Sequence, residues 1–354
     1  MSIPTEPIGS IPRPQELIDG MTAHGAGQIP TEELASLYDA AVRDTIQRFE
    51  ETGSPVISDG EQTKSSFVTY PLSAANNLAP DGVEIGFADG HSRHLPRLVE
   101  GPFFYSAHAA DYLVEAKRYA SVPVKQAVIA ASALSLLYPQ GGLEEYPQEA
   151  FLDDLVREAA NEIRRCLDAG AHVVQIDFTE GRLACKLDPS LGLLRSFVDL
   201  NNRVLAAFSD GDRARIGIHT CPGGDFDSTH SADVDYAELL PTLFQVNVGN
   251  FYIQLASEAD RRRVLGIIAE HPRPDQRIFV GVIDPINPDV ETAEEVRDRV
   301  LEAAEFIPLE RLGSTDDCGF SPFADDTSTA RDTAFAKIRA RVEGTALAAR
   351  QLGD

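Results

Sequence analysis

His219 and Cys221 stand two residues apart in the run His219-Thr220-Cys221-Pro222-Gly223-Gly224-Asp225. On a β-strand, positions i and i+2 point to the same face, so both side chains can reach one ion at a strand end. Cys318 follows far away in sequence, in Asp316-Asp317-Cys318-Gly319. One imidazole and two thiolates suit zinc, and three protein ligands with an open fourth position is the catalytic arrangement. A bare His-x-Cys pair is weak, because a buried cysteine and a hydrogen-bonded histidine are common in cores. The second cysteine strengthens the reading only if the fold brings it alongside. Cys166, in an amphipathic helical pattern, reads as packing. Cys185 reads as a loop residue with no partner.

The elements that must position these residues alternate from end to end. Strand patterns fall at 56–58, 124–130, 172–177, 215–221, 251–256 and 278–284, with weaker ones at 5–10 and 312–316. Helix patterns fall at 31–51, 149–169, 193–209, 236–245, 258–270, 292–305 and 327–352. Eight strands alternating with helices predict parallel β/α units closed as one (β/α)8 TIM-type barrel spanning 1–354. Residues 61–121 break the rhythm. There 83–88, Asp89-Gly90 and 91–99 read as a hairpin inserted after strand two, with a helix at 107–119. Asp325 to Thr327 carry N-cap signals for the last helix.

Polar residues at the C-terminal ends of barrel strands are site candidates, and residues deeper in the strands are packing. Those ends supply Ser10 and Arg13 after strand one, Glu61 after strand two, and Asp177, with Arg182 just past it, after strand four. Gln254 lies on strand six and Asp316 at the end of strand eight.

The chain has 31 Lys+Arg against 56 Asp+Glu, a formal charge of −25. Such acidity argues against nucleic acid and anionic membranes as partners, since both need basic patches. No run approaches a membrane span. Without a signal-peptide pattern or a disulfide framework, a cytoplasmic location is the expectation. A homo-oligomer remains compatible with the sequence.

His219-Thr220-Cys221, Asp316-Asp317-Cys318-Gly319, Ile8-Gly9-Ser10 and Asp59-Gly60-Glu61 resemble the catalytic barrel of cobalamin-independent methionine synthases, over nearly the whole chain. Within that superfamily, the segments 219–232, 254–258 and 312–323 look closest to the epoxyalkane:coenzyme M transferase branch. The resemblance implies zinc held by His219, Cys221 and Cys318. The family's usual fourth ligand is a glutamate, and this chain has Gln254 there, a weak or absent ligand. Methionine synthases also stack a tryptophan on the folate pterin, and this chain has none.

The implied reaction is zinc-dependent alkyl transfer to a small thiol. Metal binding makes the thiolate, which attacks an electrophilic carbon of the alkyl donor. The main expectation is epoxide opening by a thiol such as coenzyme M, with Arg13 or Arg182 meeting its sulfonate. The alternative is methyl transfer to homocysteine, whose amino acid end the family binds with residues matching Ser10, Glu61 and Asp177. A non-catalytic zinc- or metabolite-binding barrel is the second alternative. His230 and Asp316 are the candidate acids.

Overall fold

Short apolar runs, covered on both faces, become the strands of the protein. They are seen in a computed structural model that describes residues 3–353. Gln126–Ile129, Val174–Asp177, Ile216–Thr220, Asn250–Ile253, Arg277–Ile283 and Leu312–Asp316 form one parallel six-stranded sheet in sequence order. All their residues are buried except Arg277. This is the pattern of a parallel sheet with helices outside and side chains within.

The expected first two strands are reduced to single parallel bridges. Thr5 pairs with Ser314 of the last strand, and Ile57 pairs with Val124 ahead of the third. Across the remaining seam, Ile11 N donates to Gly60 O at 3.0 Å and Ser58 Oγ donates to Gly9 O at 2.6 Å. The ring is thus a closed TIM-type barrel with a weakly laddered seam.

Amphipathic helices pack around it. Gln148–Asp168 buries Phe151, Leu155, Ala159, Ile163 and Cys166, a three-to-four-residue spacing that puts one stripe on the sheet. Thr292 starts the helix Ala293–Ala304 with a reciprocal capping box. Its hydroxyl accepts from Glu295 N at 3.2 Å, and the Glu295 carboxylate accepts from Thr292 N at 2.8 Å. The last helix begins at Arg331 with no side-chain cap, later than the N-cap signals at Asp325 to Thr327 suggest. Those residues are held in the loop, where Asp326 Oδ1 accepts from Ser328 N at 3.0 Å. Cys185, expected in a loop, is buried in the helix Glu180–Leu187. Among the described residues no helix is long and apolar enough to cross a membrane.

Inside the barrel, Ile8, Val173, Tyr252 and Phe279 form a small apolar layer. Glycines make room for its rings. A Cβ at Gly217 would lie 2.5 Å from Tyr252, and one at Gly313 would lie 2.4 Å from Phe279.

The expected hairpin is present as Glu84–Gly86 paired antiparallel with Ser92–His94. It leans over the C-terminal mouth. Ala88 N donates to Thr229 O at 3.0 Å. Arg93 joins Asp225 at 2.5 Å and Asp325 at 2.9 Å. The helix expected at 107–119 is shorter, Ala109–Lys117.

Candidate functional site

His219 ends its strand next to Thr220, and Cys221 is the first residue beyond it. Cys318 follows the last strand by two residues. One ligand atom from each lies within 4.8 Å of the others. The two sulfurs are 3.2 Å apart, far longer than the roughly 2.05 Å of a disulfide. Both ring nitrogens of His219 are buried and have no hydrogen-bond partner. A buried imidazole normally has one, so this ring is free to meet something the protein does not supply. Beside the Cys221 sulfur and out of water, the Cys318 thiol is pushed well above its ordinary range. A dication would reverse that. Two thiols and one unpartnered imidazole at this spacing fit zinc.

Asp317 ties this corner together, a role that sequence reasoning missed. Its Oδ1 accepts from the N–H groups of Leu255 and Ala256, each at 2.8 Å. Its Oδ2 accepts from Ser257 N at 2.8 Å and Ser257 Oγ at 2.7 Å. The turn after the sixth strand is thereby locked beside Cys318. Burial pushes the Asp317 carboxyl up to about 6 against the pull of those bonds. Gln254 is oriented in the same corner. Its Oε1 accepts from Arg182 Nη1 at 3.1 Å and its Nε2 donates to Ser257 Oγ at 2.6 Å.

Ser10, Glu61, Asp177, His219 and Cys318 line one narrow chamber of about 30 Å³. Asp177 stands beside His219 in register on the neighbouring strand, and its Oδ1 accepts from Gln175 Nε2 at 2.7 Å. Glu61 sits in the left-handed region at φ 55°, a strained position for a residue with a side chain. Lys64, unremarked in the sequence despite its i+3 spacing from Glu61, holds that carboxylate at 2.8 Å. It also donates to Ala127 O at 3.0 Å. Burial pushes Glu61 up, while Lys64 opposes the shift.

Two larger cavities adjoin the chamber. One, of about 350 Å³, shares Gly224, Cys318, Gly319 and Pro322 with it. The other, of about 310 Å³, lies under the inserted hairpin and shares Phe67, Thr179 and Gly224.

Four expected roles do not survive this geometry. Arg13 is buried and donates to the carbonyls of Ser321, Phe323, Glu61 and Lys64 at 2.5, 3.2, 2.6 and 2.8 Å. It clamps three loops and faces no substrate. Arg182 pairs with Glu258 at 2.7 Å, donates to Val234 O at 2.6 Å, and lies over the Tyr236 ring. Asp316 points out of the barrel to Arg341 on the last helix. It is therefore not an acid at the mouth. His230 lines the 310 Å³ cavity and bonds Ser231 Oγ through Nδ1. Burial, reinforced by Lys186 and Arg182, holds its imidazole down to about 4. A ring that is neutral at pH 7 makes a poor general acid.

A methionine synthase from Saccharolobus solfataricus is 24% identical over 352 residues, spanning 99% of this chain and 96% of its own. One from Sulfurisphaera tokodaii is also 24% identical, spanning 99% and 94%. The structure of a B12-independent methionine synthase from Shewanella sp. W3-18-1, in complex with selenomethionine, has a TM-score of 0.77 at 19% identity and covers 99% of both chains. A putative vitamin-B12-independent methionine synthase from Listeria monocytogenes has a TM-score of 0.70 at 22% identity, covering 98% of both. These structures share the fold. Residues 3–343 match the description of the cobalamin-independent synthase catalytic domain, and the chain belongs to that family.

Proposed function

We propose that the protein transfers a methyl group to a small thiol, homocysteine fitting the site best, in the manner of cobalamin-independent methionine synthases. The observation that carries this reading is the His219, Cys221 and Cys318 cluster opening onto the chamber lined by Ser10, Glu61 and Asp177. Zinc held by these three residues would supply a thiolate at neutral pH, where a free thiol with a pKa near 8.5 supplies little. The remaining work belongs to the chain. Glu61 and Asp177 give an α-ammonium two carboxylates to settle between. Ser10 offers a hydroxyl to the acid end. Arg182 orients Gln254, so the amide acts as an adjustable neighbour rather than as a fourth anion. In the transfer the thiol sulfur forms the S–C bond, the donor's bond to methyl breaks with its electron pair, and the thiol proton goes to solvent.

Epoxide opening by coenzyme M loses its anchor in this reading. A buried sulfonate needs a cation or a set of amide donors, and both candidate arginines already have protein partners. The relatives named methionine synthase support the methyl-transfer alternative.

The test crosses homocysteine, coenzyme M and glutathione with methyltetrahydrofolate, methylcobalamin, S-methylmethionine and propylene oxide, using zinc-loaded protein. Methylated homocysteine as the main product is the expected result. Hydroxyalkylated coenzyme M with no methylated homocysteine would overturn it.

A further inference from the structure

The 350 Å³ cavity beside Cys318 is separate from the acceptor chamber and touches it at the reacting end. Its wall carries six carboxylates, Asp225, Asp227, Glu258, Asp284, Asp317 and Asp326, and no lysine, arginine or histidine. Two of the six are offset from behind, Asp225 by Arg93 at 2.5 Å and Glu258 by Arg182 at 2.7 Å. Among the described residues the other four have no cationic side chain within ion-pair distance. Asp284 and Asp326 accept bonds from loop N–H groups, at 3.0 Å from Ile286 and 3.0 Å from Ser328. Such donors carry no net charge. The triad brings no relief either, because two thiolates cancel a divalent ion and a substrate thiolate adds another negative charge. The rest of the wall mixes apolar Phe320, Ile286, Pro285 and Pro322 with the uncharged polar side chains of Thr229, Gln254, Ser257, Ser328 and Thr329. Anionic and apolar surface together, with an aromatic ring, is the chemistry that holds a methylated cation.

We propose that this cavity receives an onium methyl donor, a sulfonium or a quaternary ammonium compound, and that its acidity turns away polyanionic donors. The proposal rests on the methyl-transfer reading and names its second substrate. The step balances without an oxidant or a catalytic acid. The acceptor sulfur bonds to the methyl carbon, and the carbon–sulfonium or carbon–ammonium bond breaks toward the heteroatom. A neutral thioether or amine departs, and the thiol proton goes to solvent. No proton need reach the leaving group, in keeping with His230 and Asp316 both lying away from this cavity.

The test has a binding arm and a transfer arm. Choline and its uncharged carbon isostere, 3,3-dimethylbutan-1-ol, are titrated calorimetrically into metal-free and zinc-loaded protein. The cation should bind at least tenfold tighter, less so as salt rises. Asp284→Asn with Asp326→Asn should abolish that preference while zinc content and binding of the alcohol stay unchanged. Asp227→Asn, at an exposed position, gives a smaller loss if the double variant fails to fold. In the transfer arm, S-methylmethionine and glycine betaine separate sulfonium from ammonium donors, each against a methyltetrahydrofolate triglutamate. Methylation of homocysteine from the triglutamate, with choline and the alcohol binding equally, overturns this inference and leaves the methyl-transfer reading intact. A preference for choline with no methylation from any donor overturns the methyl-transfer reading and the donor role with it.

Discussion

The two sides of the barrel wall are built by different means. From Gln126 to Asp316 six strands are joined by continuous backbone ladders, and the three candidate zinc ligands lie on or just beyond two of them. At the first two positions the ladder shrinks to one bridge each, and buried side chains take over its work. Arg13 gathers four loop carbonyls. Lys64 ties Glu61 to Ala127, and Gln62 Nε2 donates to Ile11 O at 2.8 Å. The laddered side holds its site residues through backbone, so a site side chain can be lost there without loss of fold. On the seam side, the groups that shape the substrate chamber are also the groups that close the barrel.

The largest effect should therefore be a loss of metal without a loss of fold. Cys221→Ala or Cys318→Ala should lower zinc affinity by at least about a thousandfold, because two strong ligands are too few for a catalytic site. Metal analysis after dialysis measures this, and urea midpoints of the metal-free proteins should match wild type. Stoichiometric zinc in both variants would remove the assignment.

Lys64→Ala should show the opposite. It leaves Glu61 buried without its counter-ion, which destabilises by about 3–5 kcal/mol when a buried pair is broken from one side. Denaturant unfolding reads it, and a change under about 1 kcal/mol would show that the seam does not depend on this clamp.

A pH experiment sharpens the contrast between two buried carboxyls. Glu61 has Lys64. Among the described residues Glu180, just past the fourth strand, has no cation within ion-pair distance; the Ser132 hydroxyl donates to it, the backbone N–H groups of Glu180 and Ala133 give further support, and its Oε2 has no hydrogen-bond partner. Burial lifts its pKa from 4.5 to about 8. The unfolded chain releases this proton near pH 4.5 and the folded chain keeps it until about 8, so stability falls as pH rises across that window. The loss is about 5 kcal/mol. Glu180→Gln should flatten that slope, and an unchanged slope would show that the carboxyl is already ionised in the native state.

The smallest effect is expected at Gln254. Gln254→Ala should keep zinc and lower turnover by about tenfold, as for a group that orients rather than ligates. Gln254→Glu should keep or tighten zinc and slow thiol attack, because an added anion weakens the pull on the thiolate. Loss of zinc in Gln254→Ala as complete as in the cysteine variants would make it a principal ligand.

Much of this was legible because it is local. Apolar runs located the six laddered strands to within a few residues, and Asp89-Gly90 marked the hairpin turn. His219 and Cys221 were paired from spacing alone. The arginines misled for a physical reason. A cation near a barrel mouth can meet a substrate or collect stranded carbonyls, and which it does depends on how many carbonyls the sheet leaves unpaired. The shortness of the first two strands decided that for Arg13. Asp316 misled because the strand ends there. Ser314 and Asp316 alternate outward toward Thr345 and Arg341, and Cys318, although of the same parity, lies past the end of the pleat and turns inward.

By itself the sequence determined the barrel, its inserted hairpin and a set of soft donors at strand ends, because periodicity and i, i+2 spacing act over a few residues. Only the tertiary structure decided which charges are free. Arg13, Arg182 and Asp316 are taken up by partners at least 48, 50 and 25 positions away, while Asp227, Asp284, Asp317 and Asp326 line one cavity with no cationic side chain within ion-pair distance among the described residues. Charge pairing is set by distance in space, and chain closure alone brings such positions together.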